Sequence, residues 1–169
     1  MAYLGQPPTV PSKLAQVWVI DAFPTDHDAS LCLRAESFYT KQDAFPRLFD
    51  FLKGHPGSTI VYVTLQKQSE ELAKTLRTRG FQAKHFHAGM PVTDKSSVQD
   101  EFMRRNDLII VATIAFGMGI DKPNIRNVIH FDIPGSLEGY SQEIGRAGRD
   151  GKEAHCVLFL CGEVCIGPC

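Results

Sequence analysis

These 169 residues contain no apolar run approaching the 18 or so needed to cross a bilayer. The opening Met1-Ala2-Tyr3-Leu4-Gly5-Gln6-Pro7-Pro8 also lacks the basic stretch and apolar core of a signal peptide. A membrane partner is therefore not expected. An intracellular setting is, nuclear in a eukaryote or cytoplasmic in a bacterium, with the five cysteines as thiols. Net charge is nearly absent too: 18 Lys and Arg against 19 Asp and Glu leave −1, so no global basic field advertises nucleic acid. Two phosphate-handling signatures are missing. The only Gly-Lys is Gly151-Lys152, followed by Glu153 and not by the hydroxyl residue that a phosphate-cradling G-x-x-x-x-G-K-[ST] loop requires. Asp100-Glu101 continues as Phe102-Met103, so no D-E-x-H box offers to hold Mg²⁺ and position a water.

What is present is ordinary soluble composition, 43% hydrophobic and 22% charged, in a length that suits one domain with a real core. Charge is unevenly spread. Residues 59–105 carry eight basic against five acidic side chains, whereas 106–169 carry five against eight. The locally basic middle, with His85 and His87 added, permits a nucleic-acid contact but equally suits solvated helix surfaces.

Four ordered motifs carry the chemistry. Gln142-Glu143-Ile144-Gly145-Arg146-Ala147-Gly148-Arg149-Asp150-Gly151 sets two arginines three residues apart among small residues. The guanidinium fork matches phosphate oxygens, and small neighbours let the backbone come close; a lone Gly-Arg pair would more simply be a solvated turn. Upstream, the apolar run Leu108-Ile109-Ile110-Val111-Ala112 reads as a buried strand. It leads through Thr113 into Ala115-Phe116-Gly117-Met118-Gly119-Ile120-Asp121-Lys122-Pro123, whose glycines mark close approach or unusual backbone angles. Asp121 in isolation could be a plain turn carboxylate. His87-Ala88-Gly89-Met90 follows the strand-like Ala83-Lys84-His85-Phe86, and Thr59-Ile60-Val61-Tyr62-Val63-Thr64 ends a strand in a hydroxyl that could cap the next helix or donate to a phosphate.

In order and spacing these motifs resemble the RecQ family of ATP-dependent DNA helicases within superfamily 2, over roughly residues 59–162 and more faintly 31–58. DEAD-box RNA helicases begin the last motif with His where this chain has Gln142. The resemblance implies the second RecA-like lobe of a 3′-to-5′ motor, working with ATP, Mg²⁺ held mainly by a first lobe, and single-stranded or forked DNA, in repair or recombination. It implies catalytic roles for Gln142, Arg146 and Arg149, a nucleotide-facing side at Gly119 and Asp121, and a DNA-backbone path along Thr64, His87, Gly89 and Thr113. Relatives commonly put a basic residue just after the hydroxyl, whereas Leu65-Gln66 precede Lys67 here. With the phosphate cradle and the D-E-x-H box absent, half of an ATPase is expected to be missing and these residues alone are expected to be inactive. A non-catalytic binding module and an RNA helicase lobe are the rival readings.

No metal site is assigned. Cys156, Cys161, Cys165 and Cys169 crowd the end, but none of their spacings is C-x-x-C, and Cys156 falls in an apparent strand where a small buried thiol is the default. Strands alternating with helices predict an αβα sandwich with a mainly parallel sheet. Residues 1–30 are expected to form an arm with a strand at 17–20, 31–162 the lobe, and 163–169 a truncated tail. Helices are expected from near Phe45, because of Pro46, to Leu52, then 68–79 with Leu72, Ala73 and Leu76 inward, an outward Glu70–Lys74 pair and Gly80 as stop. Two more follow at 94–104 and from Ser136 to Ile144. The strands are placed at 59–63, 83–86, 108–112, 127–131 and 155–160, the last closing the sheet, with the motifs at the strands' C-terminal ends.

Overall fold

The computed structural model describes residues 31–117 and 119–161 in full and the backbone of 14–21. Met118 and the expectations for 1–13, 22–30 and 163–169, including the tail and Cys165 and Cys169, lie outside the described residues.

Seven strands form one sheet. In chain order the elements are β1 (Leu14–Asp21), β2 (Leu31–Phe38), α1 (Lys41–Gly54), β3 (Ser58–Tyr62), α2 (Gln66–Thr78), β4 (Ala83–Phe86), α3 (Val92–Arg104), β5 (Ile109–Ala112), β6 (Ile125–His130), α4 (Leu137–Ile144) and β7 (Ala154–Cys161). The strand order is β1-β2-β7-β6-β3-β5-β4. Every pairing from β2 to β4 is parallel, and β1 alone runs antiparallel, along β2.

Strands β3 and β5 are buried at every position, which is why they read as continuous apolar runs and not as alternation. Successive side chains still point to opposite faces. Val61, Val63, Val111, Ile129, Phe131, Val157 and Phe159 meet α1 and α2 on one face. Ile60, Tyr62, Ile110, Val128 and Cys156 meet α3 and the Gly-rich loop on the other, through Val98, Phe102, Phe116 and Ile120. The helix residues expected inward are buried: Ala44, Leu48, Phe49 and Leu52 in α1, Leu72, Ala73 and Leu76 in α2, Val98 and Phe102 in α3.

Several local expectations need correction. Helix α1 starts at Lys41, not near Phe45, because Thr40 and Asp43 form a reciprocal capping box that satisfies the first-turn amides, and the exposed Pro46 is accommodated inside the helix. Thr64 does not cap α2: Leu65 is the cap residue and no side chain bonds the helix start. The Glu70–Lys74 pair gives way to Lys67–Glu71 at 3.7 Å, since Glu70 is drawn to His87. The 155–160 strand does not close the sheet; β7 lies inside it, between β6 and β2, and β1 extends the sheet beyond β2. A lobe boundary at residue 31 would cut β1 from the sheet it belongs to. Strand β2 went unassigned because it carries Glu36 and Arg34 among its apolar residues. Glu36 is fully buried, and the Arg47 Nε and Nη2 of α1 donate to its two carboxylate oxygens at 2.7 Å each, so the charge is paired where no water reaches it.

Thr40→Ala tests the helix start. Loss of the cap should destabilise the protein by about 1 kcal/mol in urea unfolding, whereas a helix beginning near Phe45 would leave stability unchanged.

Candidate functional site

Ser136 opens α4, its hydroxyl accepting from the Gly139 amide at 3.0 Å, and the chain then leaves the helix through the turn that carries the two arginines. Gly148, at φ +63°, donates its N–H to Ile125 O at 3.0 Å, and the Asp150 amide donates to Pro123 O at 3.1 Å. These bonds pin the turn to the start of β6. The far end of the turn therefore lies away from the strands' C-terminal ends, and the expectation that every motif falls at those ends needs correcting for the Gly148–Asp150 segment.

The two arginines differ. Arg146 Nη1 donates to Gly117 O at 2.5 Å, and its Nε is enclosed with no partner. Gly117 has φ +129°, an angle that favours glycine, and a Cβ there would stand 2.5 Å from the Arg146 Cζ, so the guanidinium would have to leave its present place. Tyr62 donates its hydroxyl to Phe116 O at 3.3 Å beneath this contact; burial raises its pKa well above the usual phenol value, opposed by the Arg146 charge, so it remains a neutral donor. Arg149 faces solvent. Its Nη1 donates to Asp121 Oδ1 at 3.1 Å and its Nε to Gly145 O at 3.1 Å, and the Asp121 side chain is 89% exposed. Gln142, four residues before Arg146, is also exposed. Gly119 has φ +80°, and a Cβ there would meet open space.

Residues that the motifs did not single out hold this surface in place. Lys122 is buried, its Nζ donating to Met103 O at 3.2 Å and Asn106 Oδ1 at 3.3 Å above the Phe102 ring, which fastens the Gly119–Asp121 loop to α3; burial lowers its pKa. His130, stacked on Tyr62, pairs with Glu143 at 2.6 Å and ties α4 to the sheet. The Lys-Pro after Asp121 and the Gln-Glu before the arginines were visible in sequence, but their partners come from distant segments.

A second set lies at the C-terminal ends of adjacent strands β3, β5 and β4. Thr64 is exposed, and its amide donates to Asp132 Oδ2 at 2.8 Å; the same carboxylate pairs with Lys41. Thr113 is 7% exposed and continues the β4 ladder by donating its amide to Phe86 O at 3.1 Å. His87 is 6% exposed, with Nε2 on Glu70 Oε1 at 2.9 Å, so its ring turns toward α2 and away from the outer edge. A Cβ on Gly89 would stand 2.7 Å from Gln66 Oε1 and 3.2 Å from His87 Nδ1. Lys95 adds a cation beside this loop, its Nζ 3.4 Å from Ala88 O. Neighbouring strands are about 4.8 Å apart, so Thr64, Thr113 and His87 form a short row. A separate groove of about 440 Å³ between α1 and α2 is lined by Lys41, Phe45, Leu65, Leu72 and Phe131 and by none of Thr64, His87, Gly89 and Thr113.

The arginine surface suits the phosphate end of a nucleotide through the exposed Arg149 fork. Among the described residues it offers no carboxylate cluster for Mg²⁺. Asp121 is engaged by Arg149, and Glu101, beside the Asp100 that sequence raised, pairs with Lys84 and Arg105. Among the described residues Cys32, Cys156 and Cys161 are free, and burial pushes the Cys156 thiol up to about 12, unsuited to thiolate ligation.

The sequence profile described as "Helicase conserved C-terminal domain" matches residues 40–151. The chain is 48% identical over 122 residues to the ATP-dependent DNA helicase hus2/rqh1 of Schizosaccharomyces pombe, covering 70% of this chain and 9% of that protein. It is 44% identical over 144 residues to ATP-dependent DNA helicase Q5 of Mus musculus, covering 76% of this chain and 15% of that one. With ATP-dependent DNA helicase RecQ of Haemophilus influenzae it shares 45% over 124 residues, 73% of this chain and 20% of the relative. The chain thus spans no more than a fifth of the length of these relatives. Among solved structures, the E. coli DEAD-box protein SrmB bound to the regulator RraA superposes with a TM-score of 0.67 at 26% identity, covering 74% of each chain. Domain 2 of the Mss116p DEAD-box helicase, bound to an RNA duplex, gives 0.66 at 24%, covering 76% of this chain and 53% of that one.

Gly117→Ala should cost about 1–3 kcal/mol, through left-handed strain and the clash with Arg146, as read by thermal unfolding. Gly119→Ala, at φ +80° and facing open space, should cost less. Equal losses would mean that Arg146 does not occupy the Gly117 site.

Proposed function

Because the chain belongs to the helicase C-terminal domain family and, within it, to the RecQ-type helicases, we propose that it is the second RecA-like lobe of an ATP-dependent 3′-to-5′ DNA helicase, presenting its arginine turn to a nucleotide held by a first lobe. The observation that carries this is the division of labour at the turn: Arg146 is locked onto the Gly117 carbonyl, while the outer end of the Arg149 fork is held by an exposed carboxylate and only its Nε is bonded within the turn, to Gly145 O.

ATP with Mg²⁺ would supply the phosphoryl group and the metal that neutralises its charge, both bound chiefly by the first lobe. The residues of this chain do the rest. Arg149 exchanges Asp121 for a phosphate oxygen; an exposed pair is worth about 0–1 kcal/mol, so little opposes the exchange. Arg146 keeps the turn in register with the Gly-rich loop and adds positive charge behind Arg149. Gln142, exposed on the adjoining helical turn, faces the same side as a nucleotide sensor. Thr64, Thr113 and Gly89 offer a sequence-independent path for a DNA backbone, with Lys95 beside it. DNA is favoured over RNA because the relatives named DNA helicases share 43–49% identity, whereas the DEAD-box structures share 23–27%. Duplex unwinding in repair or recombination is the setting that follows.

The test joins this chain to the first lobe of a RecQ relative and measures DNA-stimulated ATP hydrolysis. Arg149→Ala should lower turnover by about 10³-fold or more, the range set by a supplied arginine, and leave DNA affinity within a few-fold. The 169 residues alone should hydrolyse ATP negligibly. Wild-type turnover in the Arg149→Ala fusion would overturn the reading and favour a binding module.

A further inference from the structure

We propose that Glu70, His85 and His87 form a binding site for a divalent first-row transition cation of the Zn²⁺ type, joining α2 to the end of β4. The proposal does not rest on the helicase reading.

His85 and His87 are two apart along an extended segment, so both rings leave the same side of it, and they stack with centroids 5.6 Å apart and planes at 19°. Strand β4 is the sheet's edge, and α2 packs beside it and brings Glu70 to the same point. One ligand atom from each of the three residues lies within 4.8 Å of the others. Two imidazoles and a carboxylate make a three-ligand set that leaves a fourth position for water, a pattern that suits Zn²⁺.

Forming the site needs only small changes. With ligand bonds of about 2.0–2.2 Å, tetrahedral ligand atoms stand roughly 3.3–3.6 Å apart. The His87 Nε2 to Glu70 Oε1 separation of 2.9 Å would open slightly, and His85 would close in. Glu70 has a half-exposed side chain and His85 is only partly buried, so both can turn.

His87 supplies the second observation. It is more than nine-tenths buried, and its Nδ1 has no partner. While Nε2–H donates to Glu70, Nδ1 is a bare acceptor. When a cation takes Nε2 in place of that proton, the neutral ring carries its hydrogen on Nδ1 and requires an acceptor there, as ligating histidines almost always have. Gln66 Oε1 stands across the space that a Cβ on Gly89 would fill, 2.7 Å from that point, with Nδ1 at 3.2 Å. The glycine thus leaves a gap through which the Gln66 carbonyl can receive the Nδ1 proton. Occupancy would lock the His87–Gly89 loop onto α2.

The experiment titrates the untagged, metal-free 169-residue chain with ZnCl₂ by calorimetry and with CoCl₂ by absorption, in parallel with His85→Ala, Glu70→Gln and a Cys161→Ser/Cys165→Ser/Cys169→Ser variant. His85→Ala changes a partly exposed strand residue, and circular dichroism checks that each variant is folded. The expected result is one Zn²⁺ per chain, a Co²⁺ spectrum without thiolate charge-transfer bands, affinity at least about tenfold weaker in His85→Ala and Glu70→Gln, and no loss in the cysteine variant. No binding, binding that survives His85→Ala, or binding lost with the cysteines would each overturn the site.

Discussion

The constraint on which the rest depends is that the central strands are buried on both faces. With no water above or below, the backbone polar groups of β3 and β5 can be satisfied only in the plane of the sheet, and the side chains must find apolar cover on each side. Helices α1 and α2 cover one face, and α3 with the Gly-rich loop covers the other. Parallel strands joined by crossovers then release their loops at one common edge, which puts Thr64, Thr113 and His87 in a row. The chain between α4 and β7 must instead travel back across the second face to the start of the sheet, and the arginine turn sits on that return path. Two surfaces of different chemistry thus follow from one packing requirement.

The second face is where the motifs become a device. Phe116 and Ile120 are buried against α3, while of the two glycines between them Gly119 is exposed and Gly117 is buried beneath Arg146. Because Gly117 has no side chain, the Arg146 guanidinium can stand where a Cβ would be and take the carbonyl beneath it. The arginines are interchangeable as letters in a motif, but one is structural in its present contacts and the other is available to an anion. Lys122 and the His130–Glu143 pair keep the two motif segments at a fixed spacing from opposite ends.

How much of this was legible depended on whether the signal was local. Ser136 as a cap, Gly80 as a stop with φ +87°, and the inward faces of the three long helices could be read because periodicity and cap chemistry act within a few residues. Pro46 misled the start of α1 because a proline penalty was weighed without the Thr40–Asp43 box upstream, which satisfies the first turn independently. Strand β2 was missed because Glu36 looks like a surface residue until Arg47 is seen to enclose it. The place of β7 inside the sheet was illegible for the same reason: strand order is decided by long-range pairing, and the apolar run at 154–161 is equally consistent with the middle or the edge of a sheet.

The same distinction explains His87. A resemblance carries a residue's name forward but not the direction of its side chain. Direction here is set by Glu70, seventeen residues earlier on α2, which draws the ring inward and also withdraws Glu70 from any pairing with Lys74. At the edge of the sheet, then, the groups most open to a nucleic-acid backbone are the exposed Thr64 and the half-buried Lys95, while His87 governs the shape of the loop that Gly89 keeps narrow. A residue held in this way influences a backbone contact by fixing the amides around it, and its substitution would act on loop geometry before it acted on any direct bond.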